Sequence, residues 1–309
     1  MKIIYDSSCW FTNVGEAFID IGALQLIKNV FPQASIGCGG NMTHFYVNNS
    51  IKGSGQELKQ KGFLPRFLPQ EYYAADCLIL AGMFISKTMF SNGNTVRYVE
   101  KFVQDGSRLV FLGLGGETYD KEEADLFRAW MEKVKPALIM TRDTQTYEML
   151  KNVCPCVNGI DCAFWVNEAF DPRGFVKHDY DIVSFNRTKE PEIFSQKWER
   201  DIVRPWHFPF SFRAEHIQEG VLVSDTPYDY LTAYANSRMV YTDLVHATII
   251  SLTYGVPVKY YFVDKRSGAF YSLHELENRD GILTIPSAKL EAKKRDLEAK
   301  ILHVFSNSH

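Results

Sequence analysis

Short runs rich in Val, Ile and Leu recur along this chain, each bounded by turn residues and followed by a stretch with helical spacing, and this alternation restricts the fold more than any other feature. In the first half the runs are KIIY from Lys2, DCLILAGMFI from Asp76, RLVFLGLGG from Arg108, PALIMT from Pro136 and VNGIDCAFWV from Val157. Between them lies NVGEAFIDIGALQLIKNVF, where Phe18, Ile21, Ala23, Leu24, Ile27 and Val30 recur at helical spacing until Pro32. YVEKFVQDG, closed by Gly106, a segment near Lys121 to Val134 and another after Asp143 read as helices too. Apolar strands joined through helices form a mostly parallel sheet covered on both faces.

The segment FDPRGFVKHD, residues 170–179, has proline, glycine and charge without periodicity and reads as a linker. After it the pattern restarts: DIVSFN ends at Arg187, and GVLVSD, a helix opened by Thr226-Pro227, RMVYTD, a helix at Leu244 and VPVKYYFVD follow. Pro227 suits a first helical position and Gly255 a C-terminal stop. KLEAKKRDLEAKILHVF gathers Leu290, Leu297, Ile301, Val304 and Phe305 near one face and reads as a closing helix. The expected architecture is α/β, with a Rossmann-like doubly wound domain over 1–172 and a second over 179–309 that ends in the closing helix. In 309 residues two domains of ordinary size fit comfortably.

Composition narrows the function. With 46% hydrophobic and 23% charged residues the chain has a globular interior, and a net charge of −3 with scattered basic residues provides no nucleic-acid surface. MKIIYDSSCW reads as an opening strand rather than a signal peptide, and no apolar run approaches the roughly 20 residues of a membrane span, so a cytoplasmic location is expected. Cys9, Cys38, Cys77, Cys154, Cys156 and Cys162 read as reduced structural thiols. Metal-ligand spacing, a Walker loop and a G-x-S-x-G elbow are all missing from the sequence, so neither a metal nor a cofactor is expected.

In open α/β sheets, ligands bind in the crevice at the carboxyl ends of the strands, so candidate residues are those that follow strands. Asp243 ends RMVYTD and is expected to cap the next helix, placing His246 in a first turn that can hold an anion or exchange a proton, with the Asp243 carboxylate as orienting group. Asn13, Gly15 and Glu16 open the first helix, where glycine permits close approach of a ligand. Gly113-Leu114-Gly115-Gly116 fails the dinucleotide fingerprint at Thr118 and reads as a crevice loop containing Gly115. Arg142, Arg187 and Arg266 follow strands, and a guanidinium fork there can clamp a carboxylate or phosphate. The aromatic run WHFPFSFR, from Trp206 to Arg213, suits either a domain junction or a platform for sugar rings.

Taken together, NVGEAF, LILAGMFIS, LVFLGLGG, LIMTRDTQTYEML, GIDCAFWV and VYTDLVHATIISLTYGVPVKYY resemble, in order, the polysaccharide pyruvyl transferase family. The resemblance implies two Rossmann-like domains of glycosyltransferase-B type. It also implies transfer of a pyruvyl group from phosphoenolpyruvate, the donor substrate, to two hydroxyls of a sugar in surface-polysaccharide assembly. The acceptor would be a saccharide or lipid-linked saccharide, the latter bringing the protein to a membrane surface through its acceptor alone. His246 falls on the histidine of the family's Arg-Leu-His segment, which here reads Leu244-Val245-His246; the arginine is replaced by Leu244, and Glu16 stands where an aspartate is usual. Two other readings share the scaffold: a glycosyltransferase using a nucleotide sugar, and a saccharide-binding relative without catalysis.

Overall fold

The computed structural model describes residues 1–7, 13–41, 66–67, 74–92, 94–195, 198–261 and 265–307. Cys9 therefore lies outside the described residues. The first sheet holds β1 (Lys2–Ser7), β2 (Ser35–Asn41), β3 (Arg66–Phe67), β4 (Cys77–Ala81), β5 (Phe84–Ile85), β6 (Arg108–Gly116), β7 (Leu138–Thr141) and β8 (Cys156–Asn158). Its order is β3-β2-β1-β4-β6-β7-β8, with β5 on β6, and every pairing is parallel except β2 with β3. The second sheet holds β9 (Tyr180–Ser184), β10 (Asp201–Pro205), β11 (Val221–Leu222), β12 (Val240–Thr242), β13 (Val258–Tyr260), β14 (Glu277–Arg279) and β15 (Ile282–Thr284). It runs β11-β10-β9-β12-β13-β15-β14, parallel as far as β13 and closed by an antiparallel hairpin.

Main helices are α1 (Val14–Val30), α2 (Asn94–Gln104), α3 (Lys121–Val134), α4 (Thr144–Leu150), α5 (Pro227–Asn236), α6 (Val245–Tyr254) and α7 (Ser287–Asn307). Their ends follow local chemistry. The Asn13, Asp120, Asp143 and Thr226 side chains cap α1, α3, α4 and α5, Pro227 occupies a first-turn position, and Gly255 closes α6 with φ of 77°.

Successive residues of each strand point to opposite faces, so Ile3 and Tyr5 of β1 enter one apolar cluster and Ile4 another. The first cluster is continuous through α1 and residues 160–166 to Ile182 and Val240 of the second sheet, Ile249 of α6, and Leu297 and Ile301 of α7. The second covers the other face of the first sheet with Phe111, Phe127 and Trp130.

Three expectations are corrected. VNGIDCAFWV is a strand only over Cys156–Asn158; from Asp161, whose Oδ1 accepts the Ala163 N–H at 2.9 Å, the chain turns into a 3-10 helix over Cys162–Trp165. Gly113 to Gly116 are not a loop but the end of β6, with a register irregularity between Leu112 and Leu114. DCLILAGMFI breaks at Gly82, where φ is 61°. The closing helix also buries one residue absent from its expected apolar face: the Lys294 ammonium donates to Asn167, Glu168 and Glu291 at 2.8, 2.9 and 2.8 Å. With Trp165 Nε1 and Asn29 Nδ2 both donating to Glu298, these bonds seat α7 on the helices of the first sheet.

Close backbone approach fixes α1. A Cβ at Gly22 would lie 2.0 Å from the Cys162 carbonyl oxygen, which is backbone and cannot step aside. Gly22→Ala is expected to lower unfolding free energy by about 1–3 kcal/mol, readable in the denaturant midpoint at unchanged m-value.

Candidate active site

In both sheets the strand order reverses beside the first strand of its half, at β1/β4 and at β9/β12. Such switch points place a ligand crevice outside the carboxyl ends of the strands. A cavity of about 210 Å³ lies there, and every polar group on it follows a strand or opens a helix. Asn13 and Glu16 come from the start of α1, Arg142 from the end of β7, Arg187 from beyond β9, His207 from beyond β10, His246 from the first turn of α6 and Arg266 from beyond β13. The apolar part includes Met83, Phe84, Phe208 and Leu244.

His246 stands where two helix starts meet. A Cβ on Gly15 would fall 2.3 Å from His246 Nδ1, so the imidazole occupies space that only glycine leaves. The ring is 15% exposed, and its Nε2 lies 3.9 Å from Asp161 Oδ2, an ion-pair separation beyond hydrogen bonding. Asp161 Oδ2 also lies 3.9 Å from Arg142 Nη1. Burial alone would push the Asp161 carboxyl up, but His246, Arg142 and the Ala163 N–H outweigh it and hold the group below the usual carboxylate range.

Arg142 is 3% exposed, and its guanidinium carbon stacks 4.1 Å from the Phe84 ring centre. Gly115, now placed in β6, makes room for it, since a Cβ there would lie 2.2 Å from Arg142 Nε. Among the described residues Arg142 Nε and Nη2 and His246 Nε2 meet no hydrogen-bond partner. Buried charged donors left unmet are costly, and a ligand carboxylate or phosphate that accepts from them recovers that cost.

Asp243 requires a correction. It does not cap α6: Thr242 Oγ1 accepts the Leu244 N–H at 3.0 Å, and Leu244 is the capping position without a side-chain bond. The Asp243 carboxylate points the other way and accepts the N–H groups of Asn186, Arg187 and Thr188 at 3.1, 3.0 and 2.6 Å. Three successive amides and the Thr188 hydroxyl hold it more firmly than one helix end would. The carboxylate facing His246 is Asp161. Asn13 caps α1 through the Gly15 N–H at 3.1 Å, with Nδ2 reaching Glu16 Oε1 at 3.5 Å.

Asp161 and His207 were not legible as site residues. Asp161 lay inside an apolar run, though Gly-Ile-Asp after a strand is a capping signal. His207 was hidden among aromatics; its ring nitrogen Nε2 is 2.8 Å from the Tyr234 hydroxyl and the ring edges onto Phe18 and Tyr230. Burial, with a smaller contribution from His246, depresses His207 to about 3, so it stays neutral at any working pH. In the unfolded chain a histidine titrates near ~6.5, so the unfolded state binds the extra proton between those values and this residue's contribution is lost as pH falls through that window. The slope is at most about 1.4 kcal/mol per pH unit. His207→Gln is expected to flatten the fall in stability between pH 6.5 and 4.5, measured by urea denaturation of both proteins.

Comparison with known proteins agrees with this architecture. The family model described as polysaccharide pyruvyl transferase matches residues 13–258. No curated protein matches the chain. Among solved structures, the S. aureus MnaA-UDP co-structure superposes with a TM-score of 0.55 at 11% identity, over 99% of this chain and 91% of that one. UDP-N-acetylglucosamine 2-epimerase from Rickettsia bellii gives 0.53 at 11% identity, over 99% and 97%. At this identity the likeness concerns the fold alone: two Rossmann-like sheets in a glycosyltransferase-B-like arrangement.

Proposed function

From the premise that the chain belongs to the polysaccharide pyruvyl transferase family, we propose that it transfers the pyruvyl group of phosphoenolpyruvate to two hydroxyls of a surface-polysaccharide sugar, forming a cyclic ketal and releasing phosphate. The observation that carries this reading is buried Arg142, which lines a cavity of about 210 Å³ together with His246 and whose Nε and Nη2 meet no acceptor among the described residues. Two adjacent guanidinium donors match the two oxygens of a carboxylate. A cavity of that size is below the roughly 300–1,000 Å³ of sites for drug-sized ligands and suits a three-carbon phosphate better than a whole nucleotide sugar.

Arg142 holds the donor carboxylate. The first-turn N–H groups of α6, which a helix start leaves without intrahelical acceptors, face the departing phosphate together with Arg187 and Arg266. Leu244 offers only an apolar wall beside them.

His246 gives its Nε2 proton to the donor methylene carbon, which becomes the methyl group of the ketal. Asp161 offsets the positive charge on the imidazolium before that transfer. The first sugar hydroxyl attacks the electron-poor central carbon; the carbon–oxygen bond to phosphate breaks, and the second hydroxyl closes the ring. Of the two hydroxyl protons, one restores His246 and the other leaves with phosphate. His207, held neutral, is too weak a base to share this work. Phe84, 36% exposed, and half-buried Phe208 present apolar surface at the mouth that a sugar ring can cover.

The test is phosphate release from phosphoenolpyruvate with a panel of saccharides. His246→Ala is expected to cut turnover by about 10²–10⁴-fold with the melting temperature nearly unchanged. Arg142→Lys, which keeps charge but loses the fork, is expected to raise the KM for phosphoenolpyruvate. No release by folded protein across a broad panel overturns the reading, and thermal stabilisation by a nucleoside diphosphate but not by phosphoenolpyruvate replaces it with nucleotide-sugar transfer.

A further inference from the structure

Asp243 is 1% exposed, sits at the joint between β12 and α6, and is not among the residues that line the cavity. The loop it grips is the one that brings Arg187 to the cavity. The same loop reaches onward: Asn186 Oδ1 accepts the His207 N–H at 2.8 Å, and the His207 carbonyl accepts the Val14 N–H at 2.9 Å. Val14 is the first residue of α1, and its neighbour Gly15 is the glycine against which the His246 ring lies. A continuous line of bonds thus runs from Asp243 through residues 186–188 and His207 to the start of α1, crossing from the second half of the chain to the first.

We propose that Asp243 is a positioning residue: by fixing the 186–188 loop it sets where Arg187 meets the donor and how closely the start of α1 approaches His246, without touching the donor itself. The inference rests on the cavity being the phosphoenolpyruvate site. Its chemistry needs a carboxylate. An asparagine has the same shape, but one of its two terminal atoms donates instead of accepting, so Asp243→Asn leaves an amide of the loop unmet and sets a donor against it. Asn186→Ala leaves the grip on the loop intact and removes only the next step.

The experiment compares Asp243→Asn, Asn186→Ala and the double variant, with separate KM values for phosphoenolpyruvate and saccharide and with hydrogen exchange at the Val14 amide. Asp243→Asn is expected to raise the KM for phosphoenolpyruvate by roughly ten- to hundredfold, the weight of a charge-assisted hydrogen bond, while the saccharide KM stays put. Because both substitutions cut one line, the double variant should be no worse than Asp243→Asn alone. Faster exchange at Val14 is expected in every variant. An unchanged phosphoenolpyruvate KM, equal rises for both substrates, or multiplied defects in the double variant overturn the proposal. If the wild-type protein releases no phosphate, the functional reading has failed independently, and exchange at Val14 still decides the relay: unaltered exchange in Asn186→Ala, which leaves the Asp243 contacts whole, refutes it.

Discussion

The structure depends on how closely α1 approaches its neighbours. Gly15 and Gly22 are seven residues apart, two helical turns, so they share one face of the helix. One receives the ring of His246 from the second half of the chain; the other receives the backbone at Cys162, next to Asp161. Two glycines on one face therefore make room for the imidazole and for the backbone beside its carboxylate partner. The Asn13 cap and the bond from the Val14 N–H to His207 determine where that face begins. Crossover connections then deliver Arg142 and the α6 turn to the same crevice, because parallel strands present all their exits at one edge.

Within the site, charge is balanced by arrangement rather than by direct bonding. Asp161 is equally distant from Arg142 and His246, at 3.9 Å from each, and satisfies only its Oδ1 through the chain. Had the guanidinium and carboxylate formed a close fork, two of the five Arg142 N–H donors would be spent within the protein. Phe84 covers the flat side of the guanidinium without consuming an N–H. Leu244 adds hydrocarbon where a charged side chain would compete for the same space.

Much of this arrangement is legible in the amino-acid sequence. The alternation of apolar runs and helical stretches specified two sheets of mainly parallel strands, and Asn13, Asp143, Pro227 and Gly255 marked helix ends because capping is local chemistry. His246, Arg142, Arg187 and Arg266 were placed together by one rule, that chemistry collects after strands, and they line one cavity. What escaped was whatever depended on partners distant in sequence. Asp243 reads as a cap because it ends a strand just before a helix, and only the folded position of residues 186–188 shows that its carboxylate is taken up there while Leu244 opens α6 without a side-chain cap. Asp161 was concealed by its apolar neighbours, and Lys294 by a helical pattern in which a lysine normally marks the wet side. The glycines of β6 suggested a loop, whereas Gly115 stays in the strand and yields its side-chain volume to Arg142.

The last helix follows the second sheet in sequence but rests on the first, held there by Lys294 and Glu298. The polypeptide consequently passes between the halves twice, once near residue 175 and again near residue 286. Two crossing points define a line, and rotation about that line is the one rigid-body motion of the halves that leaves both crossings where they are.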